Sequence, residues 1–177
     1  MIVCNGSSKT GTHLLLKAVY LFGGGGCLAI HRHDPLLSSC IHIKRRPKNV
    51  LISYIRNFSE DGLTTENIIK YIPIVLKEIA EYKNLLSDNS VLNVSFEKLL
   101  TDPSELKRIS DFINIPLADN HFKDLWGNTS TFTGSLSNWR DHWNDEIQSK
   151  WVECGGENLS AEFGYNDNDK QLKRLPQ

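Results

Sequence analysis

A short loop near the start of the chain carries residue types that bind anions. Gly6-Ser7-Ser8-Lys9-Thr10-Gly11-Thr12-His13 follows a short apolar run at residues 2–4 and precedes a stretch typical of a helix. A loop in that position offers unbonded backbone N–H groups and the positive end of the helix dipole. Lys9 adds a charge and the two threonines add hydroxyl donors. A glycine- and serine-rich turn without a ligand is the alternative interpretation.

A second basic segment, Arg45-Arg46-Pro47-Lys48, follows a strand candidate at residues 41–44. Arg45 presents a planar fork suited to a phosphate at the end of that strand. Pro47 fits the first turn of a helix that runs to about Phe58. Ser53 lies about two helical turns further on, where its hydroxyl can face the same anion. A solvated basic helix start is the alternative.

The loop does not match the pattern of a nucleoside-triphosphate enzyme. Such a loop places Gly-Lys-Ser/Thr at the helix start, whereas Lys9 precedes Gly11 by two residues. Ser95 and Phe96 follow the strand candidate at residues 91–94, so no acidic residue ends that strand to hold Mg²⁺. Phosphoryl transfer depends on Mg²⁺ to neutralise its charge, and the sequence therefore disfavours a kinase.

The elements that position these residues alternate between strand and helix. Strands are predicted at residues 2–4, 27–30, 41–44 and 91–94. Helices are predicted at about 12–22, 47–58, 65–86 and 145–152, and another begins at Pro103 and buries Leu106, Ile109, Phe112 and Ile113. Pro73 is expected to kink or split the third helix. Asp102, Pro103 and Glu105 predict an N-cap, a first-turn proline and a capping-box glutamate. The alternation predicts a three-layer α/β fold with a central parallel sheet of about four to five strands, which places the loops after residues 5, 30, 44 and 94 on one rim.

Composition supports one globular domain over residues 1–177. The chain has 177 residues, 40% of them hydrophobic, and a formal net charge of −1, which argues against a nucleic-acid or membrane-surface partner. The run from Leu14 to Phe22 is too short to span a bilayer. Cys4, Cys27, Cys40 and Cys154 lack metal-site spacing and are expected to be reduced thiols. We therefore expect a cytoplasmic protein, and nothing in the sequence supports an oligomer.

Two of these segments resemble sequence motifs of the sulfotransferases that use 3'-phosphoadenosine-5'-phosphosulfate (PAPS). Ser8-Lys9-Thr10-Gly11-Thr12 is similar to the family's Pro-Lys-Ser-Gly-Thr loop, which holds the 5'-phosphosulfate. The segment from Arg45 to Tyr54 is similar to the Arg-Asn-Pro-Lys-Asp-Val-x-x-Ser-Tyr element that grips the 3'-phosphate. The resemblance implies a P-loop NTPase-like fold. A sulfuryl group also carries less charge than a phosphoryl group, so lysine and backbone donors suffice without a metal.

Two further segments resemble the family less closely. The stretch from Ser95 to Pro103 is similar to Tyr-Glu-Asp-Leu-x-x-Asp-Pro, which places Phe96 near the adenine or, alternatively, in the core. The stretch from Phe132 to Trp143 is similar to a loop that closes over the nucleotide. Phe132-Thr133 replaces its Arg-Lys pair, so Gly134 is expected to donate its N–H and Arg140 is a substitute for the missing cations.

The segment His31-Arg32-His33-Asp34-Pro35-Leu36 resembles the family's Lys-Thr-His-x-Pro-Leu, whose histidine deprotonates the acceptor. The resemblance makes His33 the candidate general base, with a reference pKa suited to the task. His31 stands at the position of the family's lysine. Ordinary surface histidines are one alternative, and a His-x-His metal site is another, although no third ligand is evident.

The sequence thus predicts in-line sulfuryl transfer from PAPS, leaving PAP, to an unidentified hydroxyl or amine, with His33 and Lys9 in catalysis and no metal. The expected cofactor-binding residues are Ser8, Lys9, Thr10, Gly11, Thr12, His13, Arg45, Ser53, Phe96 and Gly134. A nucleotide-binding protein without catalysis and a small-molecule P-loop kinase remain as alternatives.

Overall fold

A computed structural model of the chain describes residues 2–21, 27–30, 40–116 and 138–166. Its four strands are Ile2–Asn5 (β1), Cys27–Ile30 (β2), Cys40–Lys44 (β3) and Leu92–Ser95 (β4). They form one sheet in the order β2-β1-β3-β4, and every neighbouring pair is parallel. Asn5 pairs with His42 and Lys44 with Ser95, so the carboxyl ends of the strands meet at one edge. The α/β fold with a parallel sheet is therefore confirmed.

Helices connect and cover these strands. Their bounds are Thr12–Leu21 (α1), Pro47–Phe58 (α2), Thr65–Ala80 (α3), Lys83–Ser87 (α4), Phe96–Thr101 (α5), Pro103–Ile113 (α6), Asp145–Glu153 (α7) and Gly156–Glu162 (α8), with a 3-10 helix at Asn138–His142. None of the helices in the described ranges is both long and apolar enough to cross a membrane.

Two apolar clusters lie on opposite sides of the sheet. One joins Cys4, Ile41, Ile43 and Val94 to buried side chains of α1, α5 and α6. The other is built by α2, α3, α7 and α8 and by the segment that contains Tyr82. Each fully buried aliphatic side chain contributes about 1.5–3 kcal/mol of transfer free energy. These clusters fix the helix starts against the strand ends.

The face of the sheet opposite Ile41 and Ile43 carries polar groups. His42 Nδ1 lies 2.8 Å from Asn93 Oδ1 on the neighbouring strand, and the imidazole stacks on Tyr82 with ring centroids 5.7 Å apart. Burial is the main reason that the pKa of His42 falls to about 4. The imidazole is therefore neutral near pH 7. Cys4 and Cys40 are buried and Cys154 is half-buried, and none of the three forms a disulfide in the described part of the chain. The side chain of Cys27 lies outside the description.

Two local predictions were wrong, namely that Pro73 splits the third helix and that Glu105 completes a capping box. The helix that begins at Thr65 runs through Pro73 to Ala80, and the break falls at residues 81–82, before α4. Asp102 does cap α6 by accepting from Ser104 N, but Glu105 does not complete a capping box. Its carboxylate accepts from Ser95 N at 2.7 Å and pairs with Arg108 at 2.6 Å, because the adjacent strand end offers a buried N–H. The sequence patterns also missed α5 and α8.

Candidate functional site

The loop between β1 and α1 is held in shape by its own polar groups. Asn5 Oδ1 accepts from Gly6 N at 2.8 Å, and Thr10 Oγ1 donates to Ser7 O at 2.7 Å. Lys9 adopts a φ of 65°, a left-handed conformation that is rare for a residue with a side chain. Such an outlier persists where the surrounding structure over-determines it, which is typical of ligand-binding turns.

Arg45 joins the two basic motifs. Its Nη1 donates to the carbonyl oxygen of Lys9 at 3.1 Å, and its guanidinium carbon lies 4.4 Å from the centroid of the Phe96 ring. Arg45 is 8% exposed, and its buried Nε has no hydrogen-bond partner among the described residues. A buried donor without a partner costs free energy, so this atom is suited to an additional acceptor such as a phosphate oxygen.

The two cations of the site affect each other. Burial lowers the pKa of Lys9, and the positive charge of Arg45 lowers it further. Burial also lowers the pKa of Arg45, while the Glu97 carboxylate acts in the opposite direction. Within the described ranges, no carboxylate forms a salt bridge with Lys9 or Arg45. An anion placed between them would offset this mutual repulsion.

Phe96 and Gly11 pack against each other at the base of the loop. Gly11 has a φ of 107°, and a Cβ at that position would lie 2.5 Å from Phe96 Cδ2. The Phe96 side chain is 4% exposed and belongs to the apolar cluster of α1, α5 and α6. Of the two interpretations of Phe96, a contact with adenine or packing in the core, this placement favours core packing. A contact with adenine stays a prediction.

The other predicted nucleotide contacts lie on the same rim or on the helices that start there. Thr10 and Thr12 are buried, Ser8 and Lys9 are half-buried, and His13 is exposed on the first turn of α1. Ser53 is half-buried on α2, in the second helical turn after Pro47. The structure thus brings the two motifs together through Arg45. Their contact with a nucleotide stays a prediction.

A buried polar network fixes the turn that carries Arg45. The Glu97 carboxylate accepts from Arg46 N at 2.9 Å and from Tyr165 Oη at 2.7 Å, and Ser95 Oγ lies 3.2 Å away. Tyr165 Oη also lies 3.3 Å from Lys44 O. Burial and the charge of Glu97 raise the pKa of Tyr165 well above its usual value, so the hydroxyl keeps its proton and donates.

Lys48 lies inside an aromatic cage at the start of α2. Its Nζ is 4.6 Å from the ring centroids of Trp139 and Trp143 and 5.7 Å from that of Trp151. Gln148 and Glu157 accept from the same ammonium group at 3.1 and 3.3 Å. Cation–π contacts of this kind strengthen when they are desolvated. The cage joins α7 and α8 to the helix that begins beside Arg45.

Three of the predicted site residues fall outside the described ranges, namely His31, His33 and Gly134. Trp139 is 6% exposed and belongs to the apolar cluster of α2, α3, α7 and α8, so it packs in the core. Arg140 is exposed on the 3-10 helix, with its guanidinium carbon 4.5 Å from the centroid of the Trp139 ring.

No group of three or more His, Cys, Asp or Glu side chains in the described part of the chain is arranged to hold a metal ion.

Comparison with solved structures identifies the fold. The crystal structure of mouse sulfotransferase SULT7A1 complexed with PAP superposes with a TM-score of 0.70, covering 92% of this chain and 87% of that chain at 13% sequence identity. The chain has a sulfotransferase fold. No family model and no curated protein matches the sequence. In this sulfotransferase fold, the described rim joins the loop of residues 6–11 to Arg45.

The sequence patterns missed several residues that shape the sulfotransferase-fold rim. Glu78, on α3, accepts from Ser8 N at 2.6 Å, although 70 residues separate the two positions. Tyr165 and Glu97 form the network beneath Arg46. One local signal was present but not used. Serine is a favoured N-cap residue, and Ser95 Oγ accepts from Lys98 N at the start of α5, directly after β4.

Proposed function

We propose that the protein transfers a sulfuryl group from PAPS to a hydroxyl or amine acceptor. The observation that carries the proposal is the contact between Arg45 Nη1 and Lys9 O, with Arg45 Nε left without a described partner. It unites two basic motifs at the carboxyl edge of a parallel sheet, where ligands of such folds bind. The likeness to a PAP-bound sulfotransferase supports the same conclusion.

In the proposed complex, the nucleotide lies across the strand ends. Its 5' end lies on residues 8–13, and its 3'-phosphate lies on Arg45 and Ser53. Gly134 donates its N–H to the nucleotide. The backbone N–H groups of the loop and the start of α1 supply fixed dipoles for the anion. Lys9 neutralises the charge that grows on the leaving phosphate oxygen.

The proposed chemistry is an in-line displacement. His33 takes the proton of the acceptor hydroxyl or amine as the acceptor atom bonds to sulfur and the bond between sulfur and the phosphate oxygen breaks. The products are the sulfated acceptor, PAP and a proton. Positioning and electrostatic stabilisation supply most of the catalysis in such transfers. No metal takes part in the proposed step.

Calorimetry with PAP, and separately with ATP and Mg²⁺, tests this proposal. We expect PAP to bind in the presence of a metal chelator, and ATP with Mg²⁺ to bind more weakly. Tighter binding of ATP with Mg²⁺ would instead favour the small-molecule kinase. Incubation with radiolabelled PAPS then separates an enzyme from a binding protein. Release or transfer of labelled sulfate supports catalysis, and its absence across an acceptor panel contradicts it.

A further inference from the structure

The loop of residues 6–11, here called the anion loop, has one of its backbone N–H groups hydrogen-bonded to a carboxylate of the protein itself. Glu78 Oε1 accepts from Ser8 N at 2.6 Å, a length typical of a strong, charge-assisted hydrogen bond. Ser8 lies directly before Lys9, the residue with the left-handed backbone. The loop therefore already holds an anionic group through a donor that a phosphate or phosphosulfate oxygen would otherwise use.

The position of Glu78 is fixed by the helix that carries it. Val75 and Ile79 of α3 are 1% and 2% exposed and belong to the apolar cluster of α2, α3, α7 and α8. Glu78 is half-buried between them in sequence. Because the helix backbone is packed, only side-chain rotation is available to move the carboxylate. The carboxylate therefore stays within side-chain reach of Ser8 N.

Glu78 forms no salt bridge with a cation in the part of the chain that the structure describes. Its field acts on the neighbouring aromatic side chains, because it contributes, after burial, to the raised pKa values of Tyr54 and Tyr82. An anionic ligand at the loop therefore meets a like charge that water does not fully screen.

We infer that Glu78 is an internal competitor for the anion site and determines how tightly the loop holds a nucleotide. The inference rests on the proposed function. When no ligand is bound, the carboxylate occupies Ser8 N–H. When a nucleotide enters, the carboxylate gives up that bond and remains beside the bound anion. Both effects weaken binding of the donor and of its product, so Glu78 also favours product release.

The test compares two substitutions that change the net charge equally. Glu78→Gln keeps an oxygen able to accept from Ser8 N and removes the charge. Glu81→Gln makes the same charge change three residues away, at the exposed end of α3. By calorimetry, we expect Glu78→Gln to bind PAP about fivefold more tightly than Glu81→Gln does, since a nearby repulsive charge is removed. Glu78→Ala, which also vacates Ser8 N, should bind at least as tightly as Glu78→Gln.

Inorganic phosphate is the second probe and separates this inference from the proposed function. If none of the proteins binds PAP but phosphate still binds more tightly to Glu78→Gln than to Glu81→Gln, the proposed function fails and the inference stands. If Glu78→Gln and Glu81→Gln have equal affinities for both ligands, the inference is overturned. Weaker binding of both ligands to Glu78→Gln and Glu78→Ala, with unfolding midpoints unchanged, would also overturn it.

Discussion

Arg45 Nη1 donates to the carbonyl oxygen of Lys9 across 36 residues of sequence, at 3.1 Å. This bond connects the turn before α2 to the loop before α1, and Arg45 Nε has no hydrogen-bond partner among the described residues. The two basic motifs therefore touch at one rim, and we expect a displacement of either turn to alter the other.

Replacing Arg45 by lysine should weaken PAP binding by about tenfold or more. Lysine keeps the charge but loses the planar fork and its paired donors. Calorimetry with PAP measures the effect. Arg56→Lys is the matched control, because Arg56 is exposed on α2, the helix that follows Arg45, where its Nη2 lies 3.1 Å from His142 Nε2. Equal affinities of the two variants would show that Arg45 does not contact the nucleotide.

Replacing His33 by alanine should abolish sulfuryl transfer while PAP binding is retained. The reason is that His33 is proposed to take the acceptor proton and has no role in holding the nucleotide. Turnover of radiolabelled PAPS and calorimetry with PAP measure the two properties separately. His31→Ala serves as the comparison. Retained turnover in His33→Ala would remove this residue as the base.

Replacing Gly11 by alanine should destabilise the fold more than the same change at Gly62. Both glycines have positive φ, 107° and 70°. The backbone cost of a side chain is about 1–2 kcal/mol in the left-handed region near Gly62, and it is higher at Gly11, whose φ lies outside that region. Only at Gly11 does the new Cβ meet another group, lying 2.5 Å from Phe96 Cδ2, whereas nothing lies within 4 Å at Gly62. We expect a further loss of about 1–3 kcal/mol at Gly11.

Urea unfolding of both glycine variants provides the measurement. The difference between the two variants reports the contact with Phe96 together with the extra backbone cost at Gly11. Equal free energies of unfolding would mean that the loop relaxes away from the ring without cost. PAP binding should decrease in Gly11→Ala and remain unchanged in Gly62→Ala.

The stability of the protein should decrease between pH 6.5 and pH 4 because of His42. Its pKa is about 4 in the folded protein, whereas a histidine in an unfolded chain titrates near 6.5. The unfolded state therefore binds more protons in this interval, and the contribution present above pH 6.5 is lost as the pH falls. The linkage amounts to about 3 kcal/mol.

Urea unfolding at a series of pH values measures this loss. His42→Gln retains a polar side chain without the titration, so its free energy of unfolding should fall less steeply over the same interval. His142→Gln, on the 3-10 helix, should follow the unmodified protein. A slope in His42→Gln equal to that of the unmodified protein would show that carboxylates alone cause the loss.

Sequence patterns predicted the parts of the fold whose signals are local. The strand at residues 27–30 and the helix from Pro47 to Phe58 have the predicted bounds, because apolar runs, turns and first-turn prolines act over a few residues. The wrong predictions arose where distant groups compete. Glu105 accepts from Ser95 N instead of completing a capping box. Pro73 is exposed beside the buried Ile72 and does not split its helix.

The same distinction applies to the candidate site. Lys9 and Arg45 each stand in a short run of consecutive motif residues. The pairing of β1 with β3 brings the two runs to the same rim. Glu78 and Tyr165 lie 70 and 68 residues from the groups they bind, Ser8 and Glu97. No periodicity or motif places such residues beside each other, because their contacts depend on how packed helices are placed over the sheet.

The cage around Lys48 has an optical consequence. Three of the chain's four tryptophans surround this ammonium group, and indole emission depends on the electric field and polarity around the ring. Lys48 lies three residues after Arg45, so a ligand that shifts the start of α2 also shifts a charge against these three fluorophores. The protein thereby contains a label-free spectroscopic probe positioned next to its candidate nucleotide site.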